Sequence, residues 1–337
     1  MSSLAFLLLS LAGDAVPAAP AVPKPEVALF ARAFVVGYEI TDGFGLESEI
    51  GAKTSLADIV HATLLFEHQG IQKRTFPTIS VAPQQIRAAV DARASLVVAL
   101  DYLTPFVYVE AGSDDQRRSN VEAALKVLET LNVPMILGNV PDLTAASTVL
   151  NGLVTPKMLP RPDALAAINT RILEWAATRR DVVVAPLQAL FAHIDSGEGF
   201  GVRDSTWPPS WLPELVQKDR FHPRMHGTIA AWLLGLDALC KARKDLDPLS
   251  FDWSAASIYK KVYAAKEAER KAAVQREVDA RRLLPNRPPP GPPPPRPPPL
   301  DPLEEQRQKG RGDTPRGDVP ETDKQKKQKD KDKDEGG

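Results

Sequence analysis

Asp219 and His222, in Asp219-Arg220-Phe221-His222-Pro223, are the pair in this 337-residue chain best spaced for acid–base chemistry. A carboxylate three residues before a histidine, in a turn, holds the imidazole in one tautomer and orientation. The other ring nitrogen then stays open to take a proton from a nucleophile. Such spacing is common, and Asp219 also reads as a plain turn residue. What raises the pair is its place, just before the last apolar helical pattern of the globular region. A second chemical stretch lies far upstream, Phe34-Val35-Val36-Gly37-Tyr38-Glu39-Ile40-Thr41-Asp42-Gly43-Phe44-Gly45. There an apolar run ends at Gly37, a polar glycine-rich turn follows, and a helical pattern begins. An α/β protein builds its site in this way, at the carboxyl end of a strand. Asn139, in Gly138-Asn139-Val140-Pro141-Asp142, follows another apolar run and either lines a pocket or makes a turn.

The elements that must position these residues alternate along the chain. Residues 31–36 form a first strand. Thr54-Ser55 caps a helix with Leu56, Ile59, Val60, Leu64 and Leu65 at helical spacing. A helix over 83–93, a fully apolar strand over 95–100, a helix over 120–131 and a strand over 133–137 follow. A helix over 162–180, opened by a first-turn proline, leads to a buried strand over 181–185 and a last helix over 223–241. Strands and helices alternating with short connections predict an α/β fold, a parallel sheet with helices on both faces and right-handed crossovers.

The net charge of −1 offers no basic body for nucleic acid, so no nucleic-acid partner is expected. The single cysteine, Cys240, cannot form an internal disulfide, and no zinc-ligand spacing or cofactor motif occurs. Residues 3–12 are apolar but too few for a stable membrane span. With Ala19-Pro20-Ala21 behind them they read as a signal peptide over 1–21, hence export to a periplasmic or extracellular space, although no Lys or Arg precedes the run. A frayed N-terminal helix is the alternative. A linker over 22–30, a main domain over 31–245 and a helical extension over 250–284 complete the expected ordered part. Residues 285–337 are proline-rich and then densely charged, which predicts a polyproline II segment and a disordered tail. That segment is a rigid spacer or a ligand for the aromatic groove of a protein partner.

Gly37-Tyr38-Glu39-Ile40-Thr41-Asp42-Gly43 resembles the Gly-Asp-Ser-x-Thr-x-Gly block of the SGNH/GDSL hydrolases. Asp219-x-x-His222-Pro223, with Gly227 beyond, resembles that family's last block. The resemblance spans residues 31–241. It implies a three-layer, flavodoxin-like α/β/α sandwich and an esterase, lipase, thioesterase or carbohydrate deacetylase. It implies a serine nucleophile, a histidine base and an orienting aspartate, with no cofactor or metal. The ligand would be an ester or an acetylated carbohydrate. Glu39 stands at the serine position and Tyr38 at the aspartate before it. The Gly-x-Asn-Asp block would fall near Leu100-Asp101-Tyr102-Leu103-Thr104, where no glycine or asparagine stands, and residues 74–81 hold no glycine. A carboxylate is a poor acyl-transfer nucleophile, since its product is a mixed anhydride. Three roles remain for Glu39: an ion pair that closes the site against His222, a general base on water, or a metal ligand with Asp42 and His222, for which the spacing gives no positive signal. The joint loss places a degenerate, binding-only site ahead of a working one. Gly37 and Asn139 are the substrate-side candidates. Thr41 reads as structural, and neither it nor Ser48 as a nucleophile. Trp207 and Trp211 form either an apolar wall or packing, His226 a helix-surface residue, and His61, His68 and His193 have no companions.

Overall fold

Strands β1 (Ala33–Gly37), β2 (Gln72–Thr75), β3 (Leu96–Ala99), β4 (Met135–Gly138) and β5 (Val182–Ala185) form one sheet in the order β2-β1-β3-β4-β5. All four pairings are parallel. The structure is a computed structural model that describes residues 24–283 apart from 69, 76–77, 111 and 150–152. Around the sheet run helices α1 (Pro25–Phe30), α2 (Glu39–Asp42), α3 (Leu46–Ile50), α4 (Leu56–Thr63), α5 (Ala82–Asp91), α6 (Thr104–Val107), α7 (Asp114–Leu128), α8 (Pro162–Ala177), α9 (Leu187–Ser196), α10 (Met225–Ala242) and α11 (Ala255–Leu283). Helices α5, α7 and α8 pack side by side on one face, and α4 and α10 on the other. This is the three-layer α/β/α arrangement with flavodoxin-like strand order.

The chain chemistry explains the layers. Every residue of β1, β3 and β4 is buried, as a sheet covered on both faces requires. Strand β5 was expected to be buried as well, but it is an edge, and Val182, Val183 and Val184 are only half covered. The opposite edge, β2, reads Gln-Lys-Arg-Thr and carries no apolar run, so its sequence gave no strand signal. Helix α4 opens with a capping box in which the Ser55 N–H donates to Asp58 Oδ2 at 2.8 Å. Helix α7 begins at Asp114, earlier than expected, because Ser113 caps it by accepting the Gln116 N–H at 3.1 Å.

Several expected boundaries move. The stretch expected as linker contains helix α1, whose Leu29 and Phe30 enter the core; the Phe30 ring meets Trp232 and Phe251. A hairpin of β6 (Phe200–Val202) and β7 (Ser205–Trp207), not foreseen, precedes the site turn. The expected extension is helix α11, which docks Ile258 and Val262 in the core near its start. The chain divides into two units, Met1–Val278 and Asp279–Gly337, and of the second only residues 279–283, the end of a helix, are described. The expected signal peptide and the proline-rich tail lie outside the described residues. Among the described residues no helix is long and apolar enough to cross a membrane.

Candidate functional site

The site forms where the sheet order reverses. From β1 the chain crosses outward to β2, and from β3 it crosses the other way to β4, so a crevice opens between the carboxyl ends of β1 and β3. Asp101, two residues past β3, fills the floor of that crevice. Its carboxylate accepts the N–H groups of Tyr38 (3.1 Å), Ile40 (2.7 Å) and Thr41 (3.2 Å), and the Thr41 hydroxyl at 2.6 Å. These are donors at the start of α2 that have no helical partner, and an anion suits them. Burial holds the Asp101 carboxyl above its ordinary value, and the four donors offset that only in part. The close fit dictates Gly37: a Cβ there would stand 2.0 Å from Asp101 Oδ1 and 2.2 Å from Thr41 Oγ1. Gly43 and Gly45, with φ of 76° and 77°, take the left-handed turns that lead from α2 into α3.

This anchored turn delivers Glu39 to His222. In the turn before α10, Asp219 Oδ1 accepts the N–H groups of Phe221 and His222, both at 3.0 Å. Asp219 Oδ2 accepts from His222 Nδ1 at 2.7 Å, and Glu39 Oε2 accepts from His222 Nε2 at 2.8 Å. A carboxylate on each side favours a proton on both ring nitrogens, the imidazolium form of His222. Burial opposes that charge, yet the hydrogen bonds to Glu39 and Asp219 outweigh it and raise His222 above its ordinary value. Asp219 is likewise buried in part, but the bonds from His222 and from the two N–H groups hold it below the usual carboxylate range. The His222 side chain is 1% exposed, against 22% for Glu39 and 23% for Asp219. Phe44 stacks on the imidazole with centroids 4.2 Å apart, and Phe221 leans on it at 4.4 Å.

Beyond Glu39 lies a cleft of about 340 Å³, walled by Tyr38, Ile79, Tyr108, Val109, Met158 and Phe221. Glu39 is the one charged residue in its lining among the described residues. The wall is braced from behind by Arg117, which is 3% exposed. Its guanidinium donates to the carbonyls of Val107 (2.9 Å), Val109 (3.4 Å), Lys157 (3.0 Å), Met158 (3.1 Å) and Gly112.

The other expected residues fall elsewhere. Asn139 accepts the Gln188 N–H at 2.8 Å, tying β4 to α9, and it does not line the cleft. Thr41 is part of the Asp101 anchor, and the Ser48 hydroxyl donates to the Gly45 carbonyl at 2.7 Å. Asp42 faces Lys73 at 2.8 Å rather than His222, and no group of three or more potential metal ligands exists among the described residues. Trp207 is buried and stacks on Phe200 at 4.9 Å, while Trp211 is exposed near His226. His226, on α10, is half-buried: it stacks on Tyr259 at 5.0 Å, and burial lowers its pKa. His61 and His68 do have companions, namely each other, with His68 Nε2 2.6 Å from His61 Nδ1, and His193 Nδ1 lies 3.2 Å from the Glu198 carbonyl. The residue that sequence reasoning missed is Asp101. Its partners are mainly backbone N–H groups, and its only signal was a carboxylate directly behind a buried strand.

Chemically, the row Glu39–His222–Asp219 has the layout of a nucleophile, a base and an orienting acid. In place of a hydroxyl it presents a carboxylate, and the imidazole is already protonated on the side that would accept a proton. No family model matches the chain, and no curated protein matches it. Solved structures similar to it include a lipase/acylhydrolase from Enterococcus faecalis, 15% identical, covering 64% of this chain and 98% of that one, with a TM-score of 0.41. A GDSL-like lipase from Bacteroides thetaiotaomicron is 18% identical over 67% of this chain and 93% of that one, with a TM-score of 0.38. TesA is 13% identical over 64% and 99% respectively, with a TM-score of 0.40.

Proposed function

We propose that this chain is a diverged SGNH/GDSL-hydrolase-like domain whose former nucleophile position holds an ion-paired carboxylate, and that it binds a ligand there without hydrolysing an ester. The carrying observation is the 2.8 Å contact between His222 Nε2 and Glu39 Oε2, across 183 residues of sequence. It brings the end of the first strand and the turn before α10 to one point, as the resemblance implies. The same contact removes the two requirements of ester cleavage: a hydroxyl to attack, and an unprotonated imidazole nitrogen to activate it. With the family's glycine and asparagine donors also absent from the sequence, turnover falls further, since each missing oxyanion donor costs about 10²–10³-fold. Export, and capture of a protein by the proline-rich tail, are further parts of this reading.

The test is an assay of the full chain on short p-nitrophenyl esters, beside Glu39→Ser and His222→Ala. A silent parent in which Glu39→Ser gains a detectable turnover, slowed by about 10²–10³-fold for each missing oxyanion donor, is the expected result. Hydrolysis by the parent that His222→Ala abolishes would overturn the reading and make Glu39 part of a working hydrolase.

A further inference from the structure

We infer that the cleft beside Glu39 binds a small organic monocation with an apolar body, an alkyl- or arylammonium whose nitrogen sits at the Glu39 carboxylate. This rests on the reading above in one respect, that Glu39 and not a hydroxyl is the polar group offered to the ligand.

Charge is the first argument. Glu39, His222 and Asp219 carry two negative charges and one positive, so the row is net negative, and the end that reaches the cleft is Glu39. Asp101 lies beneath the same turn, and every donor it accepts is an uncharged N–H or hydroxyl. No lysine or arginine lines the cleft among the described residues. Lys73 lies 2.8 Å from Asp42, and Arg117 lies 3.5 Å from Asp114 with its remaining donors on carbonyls. A partly buried carboxylate demands donors or a counter-charge. His222 donates to Oε2 and the Tyr38 side chain also hydrogen-bonds Glu39, while a carboxylate has acceptor sites for about two more.

The second argument is the wall. Tyr38, Tyr108 and Phe221 place three aromatic rings around the cleft. The Tyr108 hydroxyl is used inside the fold, donating to the Pro141 carbonyl at 2.5 Å and accepting the Leu143 N–H at 3.2 Å. What Tyr108 offers a ligand is therefore its ring. Aromatic rings beside a carboxylate are the chemistry that recognises organic ammonium groups. Ile79, Val109 and Met158 give the apolar body its contact, and a volume of about 340 Å³ limits it to a small molecule.

The same features reject the alternatives. A fatty acid or other acyl anion would set a like charge against Glu39. A neutral ester offers the carboxylate no donor. An alcohol satisfies one acceptor site and leaves the charge unmatched.

Calorimetric titration of the full chain with four octyl probes tests this: octylammonium, octyltrimethylammonium, 1-octanol and octanoate. Both cations are expected to bind one-to-one. 1-Octanol should bind about tenfold more weakly, the ratio a single charge-assisted contact supplies, and octanoate should give no heat of binding. Glu39→Gln should weaken octylammonium about tenfold, toward the affinity of 1-octanol, and weaken 1-octanol by much less, since the glutamine carbonyl still accepts its hydroxyl. Val109→Trp, which fills the cleft and keeps Glu39, should remove all binding. Octanoate binding as tightly as octylammonium, cation affinity unmoved by Glu39→Gln or by Val109→Trp, or no binding of any probe would each overturn the inference. Ester turnover rescued by Glu39→Ser together with failure of the ammonium probes would sink this inference alone and leave the preceding proposal standing.

Discussion

Glu39→Gln removes a charge while keeping the size and one carbonyl acceptor. In the parent, His222 Nε2 donates to Glu39 Oε2 at 2.8 Å from a side chain that is 1% exposed. A hydrogen bond between charged groups contributes about 1.5–3 kcal/mol. The glutamine carbonyl keeps a neutral version of it, so the expected loss of folding stability is about 1–2 kcal/mol, or roughly 2–8 °C in Tm for a domain of this size. The loss has a pH signature. Burial works against the His222 charge, but the two carboxylates raise its folded pKa above the unfolded value. A raised group contributes stability that is fully present below its unfolded value, about 6.5 for histidine, and is lost as pH rises through the folded value. The gap between parent and Glu39→Gln is therefore widest near pH 6 and closes as the solution becomes alkaline. Urea denaturation followed by tryptophan fluorescence at four pH values from 6 to 9 measures it, and imidazole NMR reports the His222 protons directly. A gap that stays constant with pH, or that widens toward alkaline pH, would refute the imidazolium and the chemistry built on it.

Two further substitutions probe what holds the site. Asp101→Asn keeps one carbonyl acceptor and turns an amide nitrogen toward either the Tyr38 N–H and Thr41 hydroxyl at Oδ1 or the Ile40 and Thr41 N–H groups at Oδ2, and at about 1–3 kcal/mol for each of two groups left unmatched it should cost at least about 2 kcal/mol by chemical denaturation. A cost below about 1 kcal/mol would mean the anchor is not formed. Arg117→Met strands the carbonyls of Val107, Lys157 and Met158, so a loss of about 2–4 kcal/mol is expected, with faster proteolysis between residues 107 and 158 than elsewhere. Uniform cleavage along the chain would show that Arg117 does not brace the cleft wall.

How much of this was legible depended on where each partner lay. β3 and β4 could be read because burial on both faces writes a continuous apolar run. β2 could not, because an edge strand of Gln72, Lys73, Arg74 and Thr75 has the composition of a loop. The Asp219–His222 bond was legible because the two residues share one turn. The meeting of Glu39 with His222 came only through a resemblance, since no local pattern links positions so far apart. Asp101 stayed hidden because backbone N–H groups have no letter in a sequence. The His61–His68 contact stayed hidden because one histidine is on α4 and the other in the loop behind it, outside any helical period.

The Asp101 clamp grips the backbone at Tyr38, Ile40 and Thr41 and makes no hydrogen bond with residue 39. Position 39 is thus like a tool held in a chuck: the jaws close on its neighbours, and the tip can be exchanged without loosening the grip. A change of side chain at such a position alters what the crevice can do while the turn that presents it keeps its shape. Chemistry and architecture are wired here to different atoms of the same four residues, so one can drift while the other is conserved by the clamp.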